Sequence, residues 1–388
     1  MDPLGIYIHI PFCQYLCTYC DFYKVAGASK TRKELFLSSL HREIDDAAGQ
    51  IPDPDRFLDT IFLGGGTPSV LTPGQIGGLM ESLSGAFRID SSLEATIEVN
   101  PDLPVDWLAG YRRNGLNRIS IGVQTFDNAV LSRVGRRHAA GQSIASFHAA
   151  REAGFTNINL DLIAGLPGQT GEGWADDLNE VVSLRPEHIS VYLLETDQET
   201  ALALSVRRGL IRLPEEEEAA SMYTSSREIL KKAGYAHYEI SNFCLPGMES
   251  RHNLKYWTDR PFLGFGPGAH GYLHGTRYAP PGDLNRYLAE PFQRLPGRTD
   301  LSPLERRQRA EEAAIMGLRL LDGLDLAEIE ARYGINLISE SRSALAEARD
   351  TDLLHWDGKG QVRLSEKGLL LSNEVFQCLI STPDPRSA

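Results

Sequence analysis

The stretch Gly5-Ile6-Tyr7-Ile8-His9-Ile10-Pro11-Phe12-Cys13-Gln14-Tyr15-Leu16-Cys17-Thr18-Tyr19-Cys20-Asp21-Phe22 joins a short aliphatic run to a loop that holds three of the chain's five cysteines. The run over residues 5–10 reads as a strand that stops at Pro11. Three thiols at C-x3-C-x2-C spacing, directly after a strand, form a metal-binding pattern. Soft thiolates are the usual protein ligands of iron–sulfur clusters. Three of them leave one iron of a cubane open to a small chelating molecule. Two other readings compete. One is a tetrahedral zinc site completed by His9; the other is three thiols kept for packing. His9 lies in the strand, where the pleat fixes its direction, and packing thiols are unusual in a short polar-flanked loop. The cluster is the favoured reading.

Outward from this loop the chain keeps one rhythm to about residue 242. Strands are expected over 5–10, 60–63, 94–99, 118–124, 158–163, 188–193 and 237–240, and helices over 32–47, 73–83, 105–113, 143–153, 173–184 and 215–232. Thr72-Pro73 and Pro104 mark helix starts, and Gly115, Gly154 and Gly234 mark helix ends. The strands read as nearly continuous apolar runs, which suits parallel strands covered by crossover helices. Cys13, Gly65, Glu98, Gln124 and Asp161 fall at or just beyond the carboxyl ends of successive strands. In a (β/α) barrel those ends converge on one mouth. The expected fold is therefore α/β, with a partial or complete (β/α) barrel over residues 1–242.

Residues 243–300 are punctuated by glycine and proline yet rich in aromatics, so they are expected to be an ordered, irregular segment packed on the barrel. Residues 301–388 are expected to form a small, mostly helical domain, with helices over 304–320, 326–333, 338–348 and 367–379. Two short strands flank Asp357-Gly358, and the set resembles a winged helix. The net charge of −13 opposes binding to phosphate backbones, which excludes nucleic acid as the main partner. Arg306, Arg307 and Arg309 read as a solvated helix face, and Cys244 and Cys378 as isolated packing thiols. No signal-peptide series opens the chain, and the strongest apolar run, over 315–321, is too short to span a bilayer. A cytoplasmic protein is expected.

The cysteine spacing, taken with Gly64-Gly65-Gly66-Thr67-Pro68, Glu98-Val99-Asn100-Pro101, Ser120-Ile121-Gly122-Val123-Gln124-Thr125-Phe126 and Asp161-Leu162-Ile163-Ala164-Gly165-Leu166-Pro167-Gly168-Gln169-Thr170, resembles the radical S-adenosylmethionine family. The likeness is to the branch containing oxygen-independent coproporphyrinogen III dehydrogenase. It implies a [4Fe–4S] cluster on Cys13, Cys17 and Cys20, with S-adenosylmethionine at the open iron. By the same resemblance Gly65, Gly66 and Thr67 line the pocket for the methionyl part. Glu98, Gln124, Arg136 and Asp161 contact the cofactor, and Tyr7 and Tyr19 pack beside it. The residue types suit these roles: a guanidinium for the ligand carboxylate, an aspartate for ribose hydroxyls, a glutamate for the cationic amino and sulfonium groups. The family's chemistry is reductive cleavage of the cofactor's sulfur–carbon bond.

Two features depart from the coproporphyrinogen-oxidising members. Phe22 stands where they carry a fourth cysteine, and the first strand begins within a few residues of the start, where they carry an extension. Arg251-His252-Asn253-Leu254-Lys255-Tyr256-Trp257, preceded by Glu239-Ile240-Ser241-Asn242-Phe243, is instead similar to the heme chaperone branch. That resemblance implies heme binding, with His252 as an axial ligand and Tyr256 and Trp257 as flat apolar surface beside it; His270 is a second candidate. The expected partners are heme, heme-acceptor proteins including membrane-associated ones, and an electron donor if the cluster is reduced. Two alternatives are an oxygen-independent coproporphyrinogen III dehydrogenase, which oxidatively decarboxylates two propionates to vinyl groups, and a non-catalytic, cluster-containing interaction protein.

Overall fold

A computed structural model describes residues 2–290, 294–297 and 303–380; the boundary expected at residue 300 lies outside the described residues. The chain opens with β1 (Leu4–Ile10), the short β2 (Phe12–Cys13) and β3 (Val25–Ala26), and α1 (Lys30–Gln50). Strand and helix then alternate: β4 (Phe57–Gly65), α2 (Pro73–Ala86), β5 (Arg88–Val99), α3 (Val105–Arg113), β6 (Arg118–Gln124), α4 (Asn128–Arg133), α5 (Ala140–Glu152), β7 (Asn157–Ala164), α6 (Gly171–Leu184) and β8 (His188–Leu193). The helices α7 (Ala201–Arg207) and α8 (Glu216–Lys232) follow, then β9 (Ala236–Glu239) and β10 (Asn242–Cys244).

Local chemistry places these helices. Thr72 and Gln75 form a reciprocal capping box at the start of α2, with Pro73 in its first turn. Such caps are worth about 1 kcal/mol each and set where a helix begins. The Asp127 carboxylate accepts from Ala129 and Val130 N–H to start α4 directly after β6. Gly115 and Gly154, at φ +94° and +91°, turn the chain out of α3 and α5.

The strands β1, β4, β5, β6, β7 and β8 are hydrogen-bonded in that order and are all parallel. This is a partial barrel rather than a closed one. Beyond β1 lie β11 (Phe262–Phe265), parallel to it, then the antiparallel β12 (Gly271–Leu273) and β13 (Thr276–Tyr278). Beyond β8 lies the antiparallel β10.

One pattern sharpens the sequence reading of continuous apolar strands. Ile119, Ile121 and Val123 of β6 are fully buried in the main core, and Ile6, Ile8, Leu160 and Leu162 do the same on β1 and β7. The alternate positions face the opposite, inner side of the sheet. They read Tyr7 and His9 on β1, Glu94, Thr96 and Glu98 on β5, Arg118, Ser120 and Gln124 on β6, and Asn159 and Asp161 on β7. The helix-covered face is oily, and the inner face is a polar lining.

The segment expected to be irregular contributes real elements. It supplies β10 to β13 together with α9 (Arg251–Trp257) and α10 (Leu284–Ala289). Glu43 of α1 fastens it, accepting from Gly266 N–H at 2.9 Å and Tyr287 Oη at 2.6 Å. The chain divides into two compact units, and the division differs from the expected boundary at residue 242. The first comprises residues 1–236, 241–252 and 261–296; the second comprises 237–240, 253–260 and 297–388. The expected boundary treated chain order as spatial order, whereas β11 pairs with the very first strand.

In the second unit, Ile240 N–H donates to Arg319 O at 3.0 Å and Leu321 N–H to Tyr238 O at 3.1 Å. The helices are α11 (Pro303–Gly317), α12 (Leu326–Tyr333), α13 (Leu337–Glu340), α14 (Arg342–Asp350), α15 (Glu366–Leu370) and α16 (Ser372–Gln377). The strands β14 (Leu324–Asp325), β15 (Leu354–Trp356) and β16 (Gln361–Leu364) form an antiparallel sheet in the order β14-β16-β15. The expected helices over 338–348 and 367–379 are each broken in two, at Ser341 and Leu371, whose ψ of 15° and 31° leave the helical range.

Candidate cofactor site

The cysteine loop begins where β2 pairs with β3. Val25 N–H donates to Pro11 O at 2.6 Å and Gly27 N–H to Cys13 O at 3.3 Å. Its tip is held by Thr18, whose N–H reaches Val134 O at 3.1 Å and whose carbonyl accepts from Leu202 N–H at 2.8 Å. Thr67 Oγ1 lies 3.5 Å from Cys13 Sγ, and Arg136 Nη1 lies 3.6 Å from Cys17 Sγ. Lys24 Nζ donates to Cys20 O at 2.5 Å. Burial pushes the Cys13 and Cys20 thiols up, opposed by Thr67 at the first and by the Lys24 charge at the second. A metal that binds thiolate displaces that proton, which couples its affinity to pH.

His9 does not complete a zinc site. Its Nδ1 lies 3.0 Å from Tyr7 Oη and its Nε2 2.9 Å from Tyr23 O, so both ring nitrogens are engaged. Among the described residues no three His, Cys, Asp or Glu side chains converge to hold one metal ion. The donor set left in the loop is three soft sulfurs flanked by cationic and hydroxyl donors, which fits an iron–sulfur cluster.

The glycine turn after β4 is built onto this loop. Gly66 N–H donates to Ile10 O at 2.9 Å and Thr67 N–H to Phe12 O at 2.8 Å. A Cβ on Gly66 would lie 2.8 Å from the Ile10 and Phe12 carbonyl oxygens. Gly65 sits at φ +103°, and a Cβ there would stand 2.5 Å from His9 Nδ1. Both glycines are thus required by close packing against β1 and the cysteine loop. Their approach to a ligand, expected from sequence, is a separate matter.

Glu98 accepts one hydrogen bond, from Gly65 N–H at 3.2 Å. Burial and the nearby Asp161 carboxylate push its acid up to about 8. Asp161 is better supported: Ser120 Oγ and Asn159 Nδ2 each donate to it at 2.8 Å. Burial still raises its acid. Behind it, Asn159 Nδ2 reaches Ser120 Oγ at 2.7 Å, and His188 Nδ1 lies 2.6 Å from Asn159 Oδ1.

Gln124 ends β6 at φ +71°, an uncommon conformation for a side-chain-bearing residue, where the β6–β7 register slips. Arg136 Nη2 donates to Gly122 O, and a Cβ on Gly122 would stand 2.9 Å from Gln124 Nε2. Burial holds the Tyr19 hydroxyl well above the ordinary tyrosine range, opposed by the Arg136 charge.

These contacts close a ring. Cys13 touches Thr67, which follows Gly66 and Gly65; Gly65 bonds Glu98, and Glu98 feels Asp161. Asp161 pairs in register with Gly122, Gly122 bonds Arg136, and Arg136 reaches Cys17. Tyr7 stands beside Gly64 on the inner side. The expected residues of the mouth are brought together at the carboxyl ends of the strands, with two acids raised by burial and the Glu98 acid raised further by Asp161. Such a pair complements a cation.

The expected heme residues are placed otherwise. His252 is wholly buried at the opposite ends of the strands, with Nδ1 2.9 Å from Thr60 Oγ1. Its ring stacks on Phe62 at 5.4 Å, and its N–H donates to Glu94 Oε1 at 3.0 Å. Arg251 N–H reaches the other Glu94 oxygen at 3.1 Å, so one carboxylate takes both amides at the start of α9. Axial ligation by His252 therefore requires its ring to leave Thr60 and Phe62. Tyr256 and Trp257 belong to the second unit, where their rings meet edge to face at 6.0 Å and Arg319 lies 4.6 Å over Trp257. His270 is exposed on the loop after β11, as is Phe22 at 61%.

Sequence reading missed Arg118, Ser120 and Asn159 as parts of this site. The available signal was the alternation of polar residues along β6 and β7, hidden by the aliphatic residues between them.

No helix among the described residues is long and apolar enough to cross a membrane. A profile of the radical SAM superfamily matches residues 7–181, and the HemN C-terminal domain matches residues 304–371. The chain is 38% identical to the heme chaperone HemW of Bacillus subtilis over 372 residues, which span 95% of this chain and 97% of that one. It is 37% identical to HemW of Lactococcus lactis over 377 residues, 97% of each chain. The solved structure of Escherichia coli HemN, described as coproporphyrinogen III oxidase and a radical SAM enzyme, superposes with a TM-score of 0.81 at 27% identity, covering 97% of this chain and 90% of that one. With likeness running nearly end to end, the chain belongs to the radical SAM superfamily, in the branch of HemW- and HemN-like proteins.

Proposed function

We propose that this protein is a heme chaperone that carries a [4Fe–4S] cluster and S-adenosylmethionine and passes heme to acceptor proteins, including membrane-associated ones. The observation that carries the reading is the near full-length similarity to named heme chaperones. Phe22, where the oxidising members have a cysteine, agrees with it.

Cys13, Cys17 and Cys20 are the cluster ligands in this reading. Glu98 faces the cationic amino and sulfonium groups of S-adenosylmethionine, Asp161 its ribose hydroxyls, Arg136 its carboxylate and Gln124 its other polar groups, with Gly65, Gly66 and Thr67 as the floor beneath it. Tyr7 and Tyr19 wall the pocket. When bound, the cluster and S-adenosylmethionine supply one-electron chemistry or, in a chaperone, a regulatory state. The protein's own share is to orient the ligand and to keep charge and water ordered around it. Of the two histidines raised from sequence, the exposed His270 is assigned the iron contact ahead of the enclosed His252. His252 instead packs its ring against Thr60 and Phe62 at the start of α9.

The overall likeness to E. coli HemN favours a second reading, coproporphyrinogen III oxidation. Anaerobically reconstituted protein separates them. The chaperone reading expects saturable heme binding, transfer to an apo-acceptor, and no protoporphyrinogen IX from coproporphyrinogen III with S-adenosylmethionine and reductant. Multiple turnovers of that oxidation, or the absence of saturable heme binding, contradict it.

A further inference from the structure

The inner face of the first unit holds one large buried cation that no side chain satisfies. Arg118 opens β6, is 2% exposed, and keeps an Nε with no hydrogen-bond partner. Among the described residues no carboxylate stands within ion-pair distance of it. A buried guanidinium cannot shed its charge, so burial without a partner is costly and calls for a compensating field.

The register locates that field. Arg118 is flanked by Thr96 on β5 and Asn157 on β7. One layer toward the mouth lies Glu98 beside Ser120, which is beside Asn159; next comes Asp161 beside Gly122. Inward-facing positions along a strand repeat every second residue, so Arg118 lies beneath both carboxylates. Its cross-strand neighbours Thr96 and Asn157 offer it no bond, their Oγ1 and Oδ1 atoms being themselves without a partner, and the polar groups one layer up are engaged with one another in the chain His188–Asn159–Ser120–Asp161. The Arg118 charge opposes the rise of both the Glu98 and the Asp161 acids. The titratable groups facing the pair are Tyr7 from β1, Arg118 from β6 and His188 from β8.

We propose that Arg118 is the positioning cation of the cofactor site, holding Glu98 and Asp161 as carboxylates so that Glu98 meets the ammonium and sulfonium groups of S-adenosylmethionine, and Asp161 its ribose hydroxyls, as full anions. It is not a ligand, since it sits a layer below the mouth. This assignment rests on the cluster and S-adenosylmethionine reading above.

The test is S-adenosylmethionine affinity of anaerobically reconstituted protein, measured by equilibrium dialysis from about pH 6 to about pH 9. In the wild type, affinity rises with pH as the carboxylates ionise. In Arg118→Met the affinity near neutral pH falls about tenfold or more, and the midpoint of the rise moves up by about one pH unit. Arg118→Lys, which keeps the charge in a different shape, restores most of the affinity and the wild-type midpoint. Glu98→Gln flattens the profile. An unchanged midpoint in Arg118→Met, whether affinity is kept or falls equally at every pH, overturns the proposal. Should Arg118→Met fail to fold, Arg118→Gln and Arg118→Lys carry the same contrast between charge and shape. A wild type with no saturable binding at any pH contradicts the cofactor reading itself, and binding unaltered by Arg118 contradicts only this step.

Discussion

The two ends of the inner face differ in how their polar groups are satisfied. At the amino ends of the strands, Glu94 takes two amides of α9, and Thr60 takes His252, which is closed over by Phe62. At the carboxyl ends, Glu98 keeps a single hydrogen bond, Gln124 is held in a left-handed conformation, and two carboxylates repel each other. Buried polar groups normally find partners, so those left short at the mouth are candidates for a ligand, while Arg118 Nε and Thr96 Oγ1, also without partners, stand a layer below it. A histidine with its partners in place marks packing. The contrast agrees with the proposed reading, ligand binding at the mouth and structural work at the floor, although both ends carry chemically attractive residues.

The largest effect expected at the mouth is loss of the cluster. Cys13→Ser, Cys17→Ser or Cys20→Ser should lower iron from about four per chain to near zero after reconstitution. Cys244→Ala, at a fully buried thiol outside the loop, should leave the iron content unchanged. Equal iron in a loop variant and in wild type would break the assignment of the mouth.

Glu98→Gln comes next and has two opposite readouts. S-adenosylmethionine affinity should fall about tenfold or more, because a charge facing the cation is lost. Stability should move the other way. The folded acid is raised to about 8, above its unfolded value, so the fold retains a proton that the unfolded chain releases. Its stabilising contribution is complete at low pH, declines as pH climbs from the unfolded value, and is lost by about pH 8. The variant should melt above wild type at pH 8, with the difference vanishing toward pH 5. A variant that melts lower at pH 8 would show that Glu98 is satisfied in the free protein.

At the floor, His252→Ala should cost about 2–4 kcal/mol in denaturant unfolding, through a cavity and orphaned partners, and change heme affinity less than about threefold. His270→Ala should do the reverse, altering the heme spectrum and affinity while leaving the melting temperature in place. If His252→Ala abolishes heme binding in a folded protein, α9 releases its histidine and the floor is a ligand site after all. The smallest effect is expected from Phe22→Ser, an exposed position, within about 0.5 kcal/mol of wild type.

How much of this was legible in the sequence follows the same divide. The cysteine loop, the glycine turn and the β–α rhythm were readable because their signals are local: fixed spacings, turn residues and caps. β6 and β8 match their expected limits, as do α3 and α12. The role of His252 was not readable. Its burial depends on Thr60, Phe62 and Glu94, which lie more than 150 positions away in the chain. The strand β11 was hidden likewise, since its four residues gain meaning only beside β1. Arg118 was masked because one charged residue before an aliphatic run looks like a strand edge, not an interior cation.

The most direct test of the central claim, that the mouth is a cluster and S-adenosylmethionine site with an open iron, is electron paramagnetic resonance of the reduced, reconstituted protein with and without S-adenosylmethionine. A [4Fe–4S] signal whose g-values change on addition of the ligand, and change far less in Glu98→Gln at the same ligand concentration, is the predicted result. A signal indifferent to S-adenosylmethionine in the wild type would contradict the account.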